Sequence, residues 1–174
     1  MGRFGGNDNY IYLSGEYGDI YRIQLADSSI IEDIVDGIVS FDVLPGDSMI
    51  LYEKNQQLYS YNIGSNNTVF IKEIGGPNAS GFRCNPFYPD WIVHSVEGDG
   101  YYKYWPIYFY TYNIATGEEK KIDARPYEIA QVVAYNSNWF FDGKSLIFQV
   151  DNFEAGDPAT LLEKEIWMFS DLLE

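Results

Sequence analysis

The stretch "GDIYRIQLADSS" (18–29) alternates bulky apolar with polar side chains and then runs into a cluster of turn-forming residues. Near copies stand at "QQLYSYNIGSNN" (56–67) and "IYFYTYNIATGE" (107–118), and a worn copy, "KEIWMFSDLLE" (164–174), closes the sequence. Strict alternation over six residues is the pattern of a half-buried β-strand, because successive side chains point to opposite faces. In the four copies this places Tyr21, Ile23 and Leu25 on one face, then Tyr59, Tyr61 and Ile63, then Tyr110, Tyr112 and Ile114, then Trp167 and Phe169. The opposite face carries residues such as Arg22, Gln24, Ser60, Asn62, Thr111 and Asn113. Asp171 breaks the column in the last copy, which points to fraying there.

Each copy is preceded by a short apolar strand: "YIYL" (10–13), "MILYE" (49–53), "WIVHS" (91–95) and "SLIFQV" (145–150). Three copies are followed by an Asn-, Asp-, Gly- or Ser-rich turn and a further strand, at "IIEDIV" (30–35), "TVFIKEI" (68–74) and "EKKIDA" (119–124). A fourth strand leads the last three units, at "IVSFDVL" (38–44), "FRCNPF" (82–87) and "VVAYNS" (132–137). The alternating strands begin at 20, 58, 109 and 166, spacings that suit one four-stranded unit of roughly 40 residues plus insertions. With strands labelled a to d from the axis outward, the expected fold is all-β: a β-propeller segment of four-stranded antiparallel blades. About three and a half blades are present, the first unit lacking strand a and the last lacking strand d. The whole chain (1–174) forms one domain, with units at approximately 9–37, 38–76, 81–124 and 131–174. Such a segment is expected either to belong to a longer propeller or to self-associate through its open end blades.

Composition agrees with sheet. Aromatic residues make up 18% of the chain, and Tyr, Phe, Trp, Val and Ile favour pleated, half-buried surfaces. A length of 174 residues suffices for one core. The formal net charge of −15 sets up a field that repels phosphate backbones, so a nucleic-acid partner is not expected. Cys84 is the only cysteine, which excludes an internal disulfide and a Cys-based zinc site. No run approaches 18 apolar residues, so membrane insertion is not expected. The start, "MGRFGGNDN", lacks the apolar run of a secretory signal, leaving a cytoplasmic protein or a chain that begins after a leader.

The turns between strands a and b carry a resemblance. "FFDGKSLIF" (140–148) is similar to the "SPDGKxIxF" signature of TolB-like propeller repeats, with Phe140 and Phe141 in place of Ser-Pro. "LPGDSMILY" (44–52) keeps Pro45 and reverses the Asp-Gly order, and "YPDWIVH" (88–94) keeps Pro89 and Asp90 without a Gly-Lys pair. The pattern also resembles the bacterial propellers of the low-density-lipoprotein-receptor-like type. Both resemblances imply propeller architecture and, from where such repeats occur, an extracytoplasmic location. They do not imply one activity, since the fold hosts binding modules, peptidase gates and lyases.

Chemistry-bearing motifs are sparse. His94 is the sole histidine, lies in a b strand and reads as structural; a TolB-like lyase resemblance would demand several histidines around a metal. There is no "GxSxG" elbow, "GxGxxG" turn or "GxxxxGK[ST]" phosphate loop. No catalytic residue, cofactor or metal is therefore assigned. "NNT" (66–68) and "NAS" (78–80) fit the glycosylation sequon. Two long b–c connections in neighbouring units stand out. "EGDGYYKYWP" (97–106) presents Tyr101, Tyr102, Tyr104 and Trp105, and "DNFEAGDPATLLEK" (151–164) carries Asp151, Glu154 and Asp157 before a run expected to form one helical turn. The three acids miss the spacing of an EF-hand loop. In a propeller the b–c connections share a rim where ligands commonly dock, and exposed rings stack on sugars and anchor protein partners. The expected function is a non-catalytic binding scaffold for a protein or carbohydrate partner, engaged at these seven residues. The alternative is the substrate-gating propeller of a prolyl-oligopeptidase-like serine peptidase whose catalytic domain lies elsewhere.

Overall fold

The computed structural model describes residues 2–4, 9–15, 18–27, 31–44, 46, 48–74, 81–97, 107–122, 131–139, 141–154 and 157–173. These residues form four separate antiparallel sheets in chain order. The first contains β1 (Gly2–Phe4), β2 (Tyr10–Ser14), β3 (Ile20–Gln24) and β4 (Ile31–Val35). The second contains β5 (Ser40–Val43), β6 (Met49–Lys54), β7 (Gln57–Asn62) and β8 (Asn67–Glu73). The third contains β9 (Phe82–Cys84), β10 (Trp91–Glu97), β11 (Ile107–Asn113) and β12 (Glu119–Ile122). The fourth contains β13 (Gln131–Trp139), β14 (Leu146–Glu154) and β15 (Asp157–Phe169). Every sheet is an up-and-down meander, so the a-to-d reading of the sequence describes the strands.

The sheets stack face to face, and one apolar cluster fills each of the three joints. Tyr12, Ile20 and Ile38 meet Phe41, Ile50 and Tyr52 between the first and second sheets, with Tyr59, Tyr61 and Ile63 against them. Leu51 and Leu58 leave the other face of the second sheet and meet Phe82, Cys84 and Ile92, with Tyr112 and Ile114 alongside. Val93, Phe109 and Ile122 leave the third sheet and meet Leu146 and Leu172 of the fourth. Period-two alternation thus supplies both faces of each inner sheet from one strand. Residues 50 and 52 face backward along the stack; residue 51 faces forward.

Polar ties fasten the innermost strands. The Cys84 N–H donates to Asp42 Oδ2 at 3.0 Å, and Trp139 Nε1–H donates to the Arg83 carbonyl at 3.2 Å. Turns are closed by side-chain acceptors: Asn62 Oδ1 takes the Ser65 N–H, and Asn113 Oδ1 takes those of Ala115 and Thr116. In the "DGK" turn, Asp142 Oδ1 accepts from the Lys144 and Ser145 amides while Oδ2 accepts the Ser145 hydroxyl. Gly143 there has φ +66°, and a Cβ on it would lie 2.9 Å from Phe87 Cβ.

Several expectations are corrected. The first unit does not lack strand a: β1 pairs with β2 from Gly2↔Leu13 to Phe4↔Ile11. "GRF" is too short to show periodicity, so a pairing across the intervening residues was not legible locally. Residues 151–164 are not a loop with a helical turn. They continue β14 and β15, pairing Asp151↔Lys164, Asn152↔Glu163 and Glu154↔Asp157 on either side of residues 155–156. Pro158 is tolerated because β15 is an edge strand and lies at its start. Tyr21, Ile23 and Leu25 do not lie between sheets, since their face turns away from the second sheet. Asp171 does not begin a fray. It adopts φ +59°, the Leu172 N–H then bonds the Lys144 carbonyl at 2.9 Å, and Leu172 enters the third joint.

Candidate functional site

A cavity of about 300 Å³ opens at the b–c rim between the second and third sheets, lined by Asn55, Gln56, Gln57, Glu73, Ile74 and Val96. Three elements build it. The two-residue turn between β6 and β7 supplies Asn55 and Gln56, the adjacent strand ends supply Gln57 and Glu73, and Val96 stands near the end of β10. Gln57 and Glu73 are direct partners across the β7–β8 ladder. Ile74 belongs to the second joint's core, so the cavity floor is apolar and its mouth is polar.

The turn is unusual for its residues. Both central positions are left-handed, Asn55 at φ 53° and Gln56 at φ 63°. A two-residue hairpin of this kind prefers Asn-Gly, because a side chain at the second position crowds its own backbone. Here glutamine occupies that position, its carbonyl accepts the Ile74 N–H at 2.9 Å, and the residue lines the cavity. Left-handed backbone at residues other than glycine costs on the order of 1–3 kcal/mol and persists only where the surrounding structure holds it. The Tyr59 hydroxyl, on the face that the second sheet turns to the first, donates to Gln57 Oε1 at 2.6 Å and holds that amide there.

A second polar cluster ties the two sheets on the d-strand side of the same joint. His94 is buried on β10 and stacks on Tyr110 with ring centroids 5.5 Å apart. Its Nε2 lies 2.8 Å from Glu119 Oε1 and 3.3 Å from Lys72 Nζ, and Lys72 also pairs with Glu119 and sits over the Tyr112 ring. Burial raises the Glu119 carboxyl, but the bonds and charges of Lys72 and His94 outweigh it and hold the pKa below the usual value. Through the Nε2 of His94 the cluster joins the second sheet to the third.

Glu53 forms the corresponding tie on the inner side. It is buried, accepts the Gly81 N–H at 2.7 Å and accepts the Ser40 hydroxyl at 3.0 Å. Burial raises its pKa above the ordinary glutamate value, the two hydrogen bonds opposing.

Of the residues singled out in the sequence, Tyr101, Tyr102, Tyr104 and Trp105 lie outside the described residues. Asp151 and Glu154 lie in β14 and Asp157 opens β15, so their backbones belong to the tall hairpin of the fourth sheet. Connection length points to the long loops as binding segments, whereas Asn55, Gln56, Gln57 and Glu73 stand beside the shortest b–c connection and carry no such signal. The signal available was "NQQ" (55–57), a tight turn with three amides and no glycine.

Known structures match this arrangement. The chain is similar to the tricorn protease, with TM-score 0.66 and 9% identity over 95% of this chain and 17% of that one. It is similar to the β-propeller domain of the trilobed protease from Pyrococcus furiosus, with TM-score 0.63 and 15% identity over 100% of this chain and 55% of that one. It is also similar to an auxiliary nutrient binding protein from Bacteroides thetaiotaomicron VPI-5482, with TM-score 0.62 and 13% identity over 95% and 40% of the two chains. The four sheets are propeller blades. The chain spans between about a sixth and just over half the length of these neighbours. At such identities the likeness concerns fold alone. No family model matches the chain, and no curated protein sequence does.

Proposed function

We propose that this propeller segment is a non-catalytic binding scaffold whose ligand seats on the b–c rim over the cavity between the second and third blades. The observation that carries this is the amide-rich mouth of that cavity, with Gln56 kept in a left-handed turn where glycine would fit with less strain. Amide donors and acceptors, one carboxylate and an apolar floor suit a hydroxyl-bearing ligand or an extended stretch of a partner protein. The aromatic residues Tyr101, Tyr102, Tyr104 and Trp105 follow Val96 closely in sequence, and we assign them to the same site, as stacking partners for a sugar ring or anchors for a protein. Asp151, Glu154 and Asp157, on the neighbouring blade, are assigned to its margin. Within propellers, the "DGK" turn at 142–144 favours the TolB-like type, and with it an extracytoplasmic setting.

Glycan-array screening followed by calorimetry tests this directly. A ligand whose affinity falls at least tenfold in Gln56→Gly/Glu73→Ala, with the fold retained by circular dichroism, is the expected result. A ligand bound equally by wild type and the double variant would remove the cavity from the account.

The second reading, a gating propeller of a serine peptidase, draws support from two of the neighbours being protease structures. It requires that the product of the complete gene be labelled by a serine-directed fluorophosphonate. Absence of labelling in an otherwise folded full-length protein would rule it out.

A further inference from the structure

The four blades repeat one joint, and its two halves recur on the outer faces at the ends of the stack. The first position of the alternating repeat in strand c shows this. Ile20 and Leu58 are fully buried there and Phe109 nearly so, each facing the following blade. Ile166 occupies the same position in the fourth blade and is 79% exposed. Two residues on, Met168 is 57% exposed, and its ladder partner is Ile147. The corresponding b-strand residues in the other blades, Tyr12, Leu51 and Val93, are fully buried.

The first blade shows the complementary half. The ladder pairs Leu13 with Tyr21 as it pairs Tyr52 with Tyr59 and His94 with Tyr110. Tyr52 and His94 are buried against the preceding blade, whereas Leu13 is 37% exposed. Ile11 pairs with Ile23 as Ile50 pairs with Tyr61, and Leu25 at the end of the row is also exposed. Scattered exposed apolar side chains need no explanation, but here they fall in register with positions buried in the joints, three for the fourth-blade face and two for the first-blade face.

We propose that these two faces are the halves of one further blade–blade joint, made head to tail between two copies of this chain. The partner surface must carry strand-c rings or branched residues alternating at period two, in register with a b-strand aliphatic row. A second copy carries that surface by construction, and the joint it would form continues the series of three already present. Two copies joined at both ends hold eight blades, within the usual range of about four to eight for a closed ring. Each chain carries a formal net charge of −15, so association is expected to strengthen as salt screens the repulsion.

The test uses two variants, each blocked on one face: Leu13→Asp/Leu25→Asp on the first blade and Ile166→Asp/Met168→Asp on the fourth. All four side chains are already exposed or partly so, and far-ultraviolet circular dichroism checks that the fold survives. In sedimentation equilibrium, the wild type is expected to exceed its monomer mass of 20.0 kDa and each variant alone to return to it. An equimolar mixture of the two, which retains one intact joint, is expected to form a dimer and stop there. A wild type that stays at the monomer mass through hundreds of micromolar at 0.5 M salt overturns the proposal. So does a variant that self-associates alone, which would mean like faces pairing, and so does a mixture that remains monomeric.

Discussion

His94 Nε2 sits 2.8 Å from Glu119 Oε1 across the d-strand side of the third blade, and Lys72 of the second blade closes the group. The single histidine of the chain thus takes part in a polar tie between two blades. Because the folded state depresses the Glu119 pKa, its contribution is present above the ordinary carboxylate range and is lost as pH falls through the folded value. Glu119→Gln should cost about 1 kcal/mol at neutral pH, a modest figure because the carboxylate is partly solvent-screened. Denaturant titration at several pH values should show the gap between wild type and variant closing on the acid side.

Glu53 has the opposite sign. Its folded pKa is raised, so the neutral carboxyl suits the fold and stability is lost as pH rises through the folded value. Glu53→Gln keeps acceptors for the Gly81 amide and the Ser40 hydroxyl without the buried charge. We expect the variant to gain on wild type in thermal melts as pH rises from the ordinary glutamate range through the raised folded value, and the gap to level off above it. A gap that stays constant with pH would show that Glu53 does not ionise at a raised pKa in the folded protein.

Gly18 closes the approach of the first blade to the second. Its φ is +83°, a Cβ on it would stand 2.4 Å from the Ile38 carbonyl oxygen, and its own carbonyl accepts the Ile38 N–H at 2.9 Å. Gly18→Ala should destabilise by about 1–3 kcal/mol, through the left-handed backbone and the clash together. Chemical denaturation would measure it.

The turn at 55–56 gives a test in the other direction. Replacing Gln56 by glycine should relieve left-handed strain and stabilise the chain by up to about 1 kcal/mol. If the cavity binds ligand as proposed, the same substitution should weaken binding. A stability gain with affinity untouched would confirm the strain and remove the glutamine from the ligand site.

The legible parts of the fold were those written at short range. Tyr59 and Tyr61 alternate with Ser60 and Asn62, so strand β7, its two faces and its place in a repeat could be read directly. Gly2–Phe4 was hidden because three residues carry no period and gain their identity only by pairing with β2. The hairpin at 151–164 was not legible because "ATLLEK" carries good helix formers. Pairing with β14 overrode them, as tertiary context commonly does to local propensity. The cavity was illegible for a further reason. It lies between Gln57 of one blade and Val96 of the next, and a contact between blades has no signature within either one.

The joint between the second and third blades shapes that cavity, and nuclear Overhauser contacts across it test the account most directly. With methyl and aromatic labelling, Leu51 and Leu58 should show cross-peaks to Ile92 and Phe82, and Tyr12 and Ile20 should show them to Ile50 but not to Val93. Cross-peaks linking Ile20 to Val93, or none between Leu51 and Ile92 in folded protein, would contradict the serial stacking of the blades.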